Sequence, residues 1–203
     1  MASSSSISGR LLALVLATFA LSIAAPAHAD TLIIKSPGDH SRYSFEAEPH
    51  LLLGLIDPPG VGSGTGLGLG FRGTVVLVDN GFVPSINNSI GVGFGVDWVH
   101  YGHGRAHCVP NSGPSGGCYA FDNSESVNNL WFPVVMQWNF FLSRQWSVFG
   151  EPGLAVRYTS VPNAHDVQVD PILSVGGRWH FSDSMTLTMR LGYPTFSVGV
   201  SFM

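Results

Sequence analysis

The 203-residue sequence predicts an all-β fold, an eight-stranded antiparallel up-and-down transmembrane β-barrel, and three observations carry the prediction. Between Tyr43 and Met203, the charges inside alternating stretches fall on the face opposite the apolar one. In the stretch from Met185 to Tyr193, Leu187, Met189, Leu191 and Tyr193 share one side, and Thr186, Thr188, Arg190 and Gly192 the other. That is the period of a strand with one greasy face. The polar faces hold few long solvating side chains and many Gly, Ser and Thr, which suits a narrow, crowded interior better than open water. A leader-like apolar run precedes these stretches, and an aromatic strand closes them.

The leader comes first. Arg10 is followed by apolar residues from Leu11 to Ala24, and Ala27-His28-Ala29 supplies the small-x-small pattern that a signal peptidase cuts. Residues 1–29 are therefore expected to be a cleaved signal peptide, 30–42 a flexible N-terminal segment and 43–203 the barrel. After Asp30 nothing offers ~18 uninterrupted apolar residues, which excludes a membrane-spanning helix. Once Arg10 is removed, eight Lys plus Arg stand against thirteen Asp plus Glu. Lys35 is the only lysine and the arginines are scattered, so no basic patch exists to recruit nucleic acid.

Eight strands are expected near 43–55, 65–78, 89–101, 129–141, 146–159, 167–181, 185–193 and 196–202. Their greasy faces run through Phe45, Leu51 and Leu53; Leu67, Leu69, Phe71 and Val75; Ile90, Val92, Phe94 and Trp98; and Leu130, Phe132, Val134 and Trp138. Trp146, Val148, Leu154 and Tyr158 continue the series, followed by Val169, Leu173, Val175 and Trp179, the Leu187 face, and Phe196, Val198, Val200 and Phe202. No charge lies on any of them. Connections alternate in length: 142–145 and 182–184 are tight and 102–127 is long, with one exception on each side, a long connection at 79–88 and a short one at 193–195. Short periplasmic turns and long outer loops are the rule for such barrels, which places both termini in the periplasm. Aromatic residues then gather at two rims.

Parity sends Glu46, Glu48, Arg72, Asp97, Glu151, Arg157, Asp170, Arg178 and Arg190 into the lumen. An eight-stranded barrel is only wide enough for side chains to fill it, and buried charges must pair. An interlocked plug is expected, with Glu151, Arg178 and Arg190 in one network; the rival is a gated conduit or a proton-responsive site at His50 and His180. Glu48-Pro49, Glu151-Pro152 and Asp170-Pro171 repeat an acid–proline pair, which points to bulges.

The stretch Leu142-Ser-Arg-Gln-Trp-Ser-Val-Phe-Gly-Glu-Pro-Gly153 and the closing Phe196-Ser-Val-Gly-Val-Ser-Phe202 resemble the small eight-stranded outer-membrane barrels of the OmpA/OmpX type. The resemblance implies an outer-membrane location and contact with outer-membrane lipid, periplasmic chaperones and the barrel-insertion machinery. It also implies that Phe196, Val198, Val200 and Phe202 form the assembly signal, although Met203 follows the usual terminal aromatic.

Cys108 and Cys118 sit in the long loop among Gly, Pro, Ser and Asn, and an exported chain favours a disulfide between them. His100, His103 and His107 precede Cys108, but their spacing matches no standard zinc site. His180-Phe-Ser182 has the His-x-Ser spacing of lipid A deacylases, yet it falls at a short turn on the periplasmic side with no convincing acid. The alternate glycines from Gly64 to Gly70 precede no helix and form no phosphate loop. The expectation is a monomeric, non-catalytic envelope barrel without metal or cofactor, with a possible surface ligand on the 102–127 loop. A narrow, porin-like carrier for a small or apolar solute is the alternative, and a soluble lipocalin-like barrel with its greasy faces inward is the third.

Overall fold

A computed structural model describes residues 31–54, 62–104, 108–109, 119–120, 126–161 and 164–203. Eight long strands make the wall: β1 (Phe45–Gly54), β2 (Gly62–Val78), β3 (Asn88–Gly104), β6 (Val127–Phe141), β7 (Trp146–Val161), β8 (Ala164–Ser182), β9 (Met185–Tyr193) and β10 (Phe196–Phe202). Two-residue strands β4 (Cys108–Val109) and β5 (Tyr119–Ala120) pair with each other in the long loop. Around the wall the long strands follow chain order, every pairing is antiparallel, and β1 meets β10 through Leu51↔Val198 and Leu53↔Phe196. Closure provides a partner for the edge strands, which an open sheet would leave bare.

The faces are sorted as the alternation requires. Leu51, Leu67 and Val169 are 64%, 68% and 63% exposed on the outside, whereas Glu46, Glu48 and Glu151 are no more than 1% exposed within. A soluble barrel with apolar faces inward would need the opposite parity, so that reading is overturned. Trp146 stacks on Trp179 with ring centroids 6.5 Å apart, and Trp138 lies 4.9 Å from Phe140. These aromatics line the turn end, while Trp98 and Tyr158 sit toward the loop end, beside His100 and His165.

Three features depart from the expectation. Ile90 belongs to the outward series yet is 5% exposed, because the 79–88 connection folds over it. Gly81 lies so close that a Cβ there would meet Ile90 and Asn88, and Phe82 adds an edge contact on Trp138.

Residues 32–44 are not a free lead-in. The Ile33 amide donates to the Leu142 carbonyl and the Asn87 amide to that of Ile34, both backbone bonds to other segments. His40 stacks flat on Phe141 at 4.1 Å, and the segment lies across the turn end of the barrel. A sequence with no apolar alternation gave no sign of this, since the partners are turns rather than a sheet.

The prolines produce no bulge. At Pro49 the β1–β10 pairing lapses between Ala47↔Phe202 and His50↔Gly199 without any change of register. Similar lapses occur at Pro133 between β3 and β6 and at Pro152 between β6 and β7. Each proline lacks the amide that a ladder bond needs. Pro171 stands where β8 has already outrun β9, whose pairing stops at Leu173↔Tyr193, so it occupies a strand edge.

Candidate functional site

The lumen holds a closed ring of alternating charge. Arg72 on β2 donates to Asp97 on β3 and to Glu151 on β7, each at 3.3 Å. Glu151 accepts from Arg190 Nε on β9 at 2.7 Å, and Arg190 donates on to Glu48 on β1 at 2.8 Å. His50 Nδ1 lies 3.5 Å from Glu48 Oε1, and its Nε2 lies 2.8 Å from Asp97 Oδ1, which completes the circuit. Five strands contribute, the adjacent β1, β2 and β3 supplying four of the residues, and the arginines reach across the lumen to β7 and between β9 and β1. All six side chains are withdrawn from solvent. Gln137 and Ser174 donate further hydrogen bonds to Glu151, and Ser201 donates to Glu48.

Two separate pairs flank the ring. Toward the turn end, Arg178 donates to Glu46 at 2.9 Å and to Asn139 at 2.9 Å. It also reaches the Tyr43 hydroxyl at 3.5 Å. Withdrawal from water pushes the Tyr43 phenol up, so it stays neutral beside that guanidinium. Toward the loop end, Arg157 donates to Asp170 at 2.7 Å, to Gln168 at 2.6 Å and to Thr159 at 2.8 Å. The expected trio of Glu151, Arg178 and Arg190 is thus two-thirds present, with Arg178 belonging to a different pair. Phe149 explains the division: its ring lies 4.7 Å from the Arg178 guanidinium and 5.2 Å from that of Arg190, a cation–π wedge between them.

Sequence reasoning missed the lumen's hydrocarbon. Phe149 shares the inward parity of Ser147 and Glu151, so alternation alone identifies it once aromatics are not assumed to face lipid. Leu52, Val99, Tyr101, Val127 and Val161 form a buried apolar cluster at the loop end. A Cβ at Gly54 or Gly66 would strike the Tyr101 ring, so both glycines make room for it. Two chambers lie among the described inward-facing residues. One, lined by Arg72, Asp97, Trp131 and Arg190, opens near Tyr193 and Pro194; another, of about 230 Å³, lies at the turn end among His40, Tyr43, Phe141, Arg144 and His180.

The His-x-Ser pair is not assembled. His180 faces Ser147 Oγ at 2.9 Å and Thr186 Oγ1 at 3.0 Å, while Ser182 is exposed and accepts from the Ser184 amide. Among the described residues, no three His, Cys, Asp or Glu side chains converge as metal ligands. His100 bonds Asn128 at 3.0 Å; His103, His107, Cys108 and Cys118 lie outside the described side chains, as does the 1–29 leader. Phe196, Val198, Val200 and Phe202 stand on the outer face of β10, the strand that closes against β1.

No family model and no curated protein matches the chain. Among solved structures, the attachment invasion locus protein Ail of Yersinia pestis, in complex with the heparin analogue sucrose octasulfate, is 8% identical over 78% of this chain and 95% of that one, with a TM-score of 0.47. Neisserial surface protein A is 14% identical over 78% of this chain and 96% of that one, with a TM-score of 0.44. On its own strand order, greasy exterior and charge-filled interior, the chain is an eight-stranded antiparallel barrel of the small transmembrane type.

Proposed function

We propose that the chain is a non-catalytic, monomeric outer-membrane barrel, sealed across its lumen, that serves envelope structure or surface contact through the 102–127 loop. The closed ring of Arg72, Glu151, Arg190, Glu48, His50 and Asp97 carries this reading. A hydrated conduit would leave its lining charges to water, whereas here each is held by a partner of opposite sign or a hydrogen bond. The exterior supports lipid as the solvent: a continuous wall of Leu, Val, Phe and Trp would be badly solvated by water, and girdled walls of that kind suit a bilayer. In this reading residues 1–29 are removed on export and both termini face the periplasm. The outward residues of β10 are read by the insertion machinery, and Cys108 and Cys118 are joined outside the cell.

The test is insertion and conductance together. The refolded protein is expected to partition into lipid vesicles and to leave planar bilayers insulating at neutral pH. Steady conductance by the wild-type barrel would replace the seal with the narrow-channel alternative, and failure to enter vesicles would remove the membrane reading altogether.

A further inference from the structure

The ring contains one residue whose charge its neighbours dictate. Two arginines and three carboxylates leave it one positive charge short, and His50 occupies the position where alternation calls for a cation. Its hydrogen bonds make the same demand. Nε2 faces the Asp97 carboxylate at 2.8 Å, and Nδ1 faces the Glu48 backbone carbonyl at 3.2 Å with Glu48 Oε1 beyond it at 3.5 Å. All three are oxygen acceptors. A neutral imidazole donates from one nitrogen and presents a lone pair at the other, so either tautomer would point a lone pair at an oxygen in a buried site. Only the doubly protonated ring satisfies both contacts.

The wall is cut to hold that ring in place. His50 pairs with Gly70 on β2 and with Gly199 on β10. A Cβ at Gly70 would collide with His50 Nε2 and Asp97 Oδ1, and one at Gly199 would crowd the His50 Cβ and the Pro49 carbonyl. The imidazole therefore stands in a slot between two glycines, aimed at Asp97. Other charged groups reach it only through the ring: Arg72 on β2 is held by Asp97, and Arg190 on β9 by Glu48. No further titratable side chain among the described residues contacts it.

We propose that His50 is held as the imidazolium and is the third cation of the ring, so that the lumenal seal contains one exchangeable proton. The inference rests on reading the lumen as a seal and adds its chemistry. While the proton is present the ring is three against three. Its loss leaves Glu48 and Asp97 with no cation between them and an excess negative charge within the ring, which loosens the ring and favours passage of small cations. The N–H bond breaks with its electron pair left on the ring nitrogen, hydroxide takes the proton and becomes water, and no other bond changes.

Nitrogen-labelled histidine in the chain refolded into detergent micelles reports this directly. The His50 resonances, identified by their loss in His50→Gln, are expected to show a hydrogen on both ring nitrogens at neutral pH. A bare Nε2 or Nδ1 in the folded wild type overturns the proposal whatever the barrel conducts, so it fails separately from the sealed-barrel reading. Bilayer conductance during a rise in pH is the second measurement. The wild type is expected to begin passing cations over the interval in which the His50 proton is lost. His50→Gln, already one charge short, should conduct throughout with no such step, and the balanced His50→Gln/Asp97→Asn pair should be closed again. A step that persists unchanged in either variant overturns the assignment to His50. If His50→Gln does not fold, the nitrogen signals of the wild type, assigned by through-bond correlation, decide alone.

Discussion

At mid-height the barrel is filled by ions, with Glu48, His50, Arg72, Asp97, Glu151 and Arg190 meeting across five strands; toward the loop end Leu52, Val99, Tyr101, Val127 and Val161 fill the same bore with hydrocarbon. The two fillings respond differently to damage. Hydrocarbon contacts are numerous and individually small, so a trimmed side chain removes a share of them. A ring of buried charge has no such gradation, because removing one member strands its partners in a medium that cannot solvate them. If the lumen is sealed as proposed, the charged tier is the one that sets closure, and the apolar tier adds packing.

The comparison is tested most severely by Glu151→Gln. Arg72 and Arg190 both lose their shared carboxylate, which should cost about 3–5 kcal/mol, read as a lower unfolding temperature in detergent and as water or ion entry in bilayers. A change confined to ion selectivity in a barrel that already conducts would break the distinction between the tiers. Val175→Arg, on the lipid side of β8, should cost about 2–4 kcal/mol near the bilayer midplane, whereas Ser197→Thr in the lumen should be mild. Equal folding yields for the two in vesicles would contradict the assignment of faces.

The apolar tier predicts the opposite sign. The Tyr101 hydroxyl is buried and has no hydrogen-bond partner among the described residues, so Tyr101→Phe should be neutral or raise stability by up to about 1 kcal/mol. A clear loss in denaturant unfolding would show that the cluster depends on a polar contact after all. Smallest of all should be Asp39→Asn, which breaks the pair with Arg144 in a setting where the two side chains are 43% and 74% exposed. Less than about 1 kcal/mol is expected, with a midpoint that barely moves on adding salt.

How much of this was legible follows from what strand alternation encodes. Parity assigns each residue to a face, so the exterior from Phe45 to Phe202 and all nine lumenal charges were readable in one dimension. Parity carries no height, however. Glu151 lies level with Ser174 and Arg178 with Ser147, and only the stagger of the closed wall shows that Arg178 falls to Glu46 while Arg72 rises to Glu151. His50 was noticed as a candidate, but its place in a ring depends on Gly70 and Gly199 being its partners, which no single strand reveals. The strap over the turn end was invisible for another reason: its bonds run from backbone to backbone, and backbone amides are the same in every sequence.

That strap brings the beginning of the described chain to the same mouth as its end. The Met203 amide donates to the Ser184 carbonyl, and Met203 lines the turn-end chamber together with Ile33 and Tyr43. Since β1 and β10 are already neighbours, the wall itself has no first strand; the order in which it is written is a property of the gene. Circular permutation, with a short linker from Met203 to Leu32 and new termini within the 102–127 loop, should leave the strand order and ring intact while transferring the aromatic closing strand to the interior of the chain.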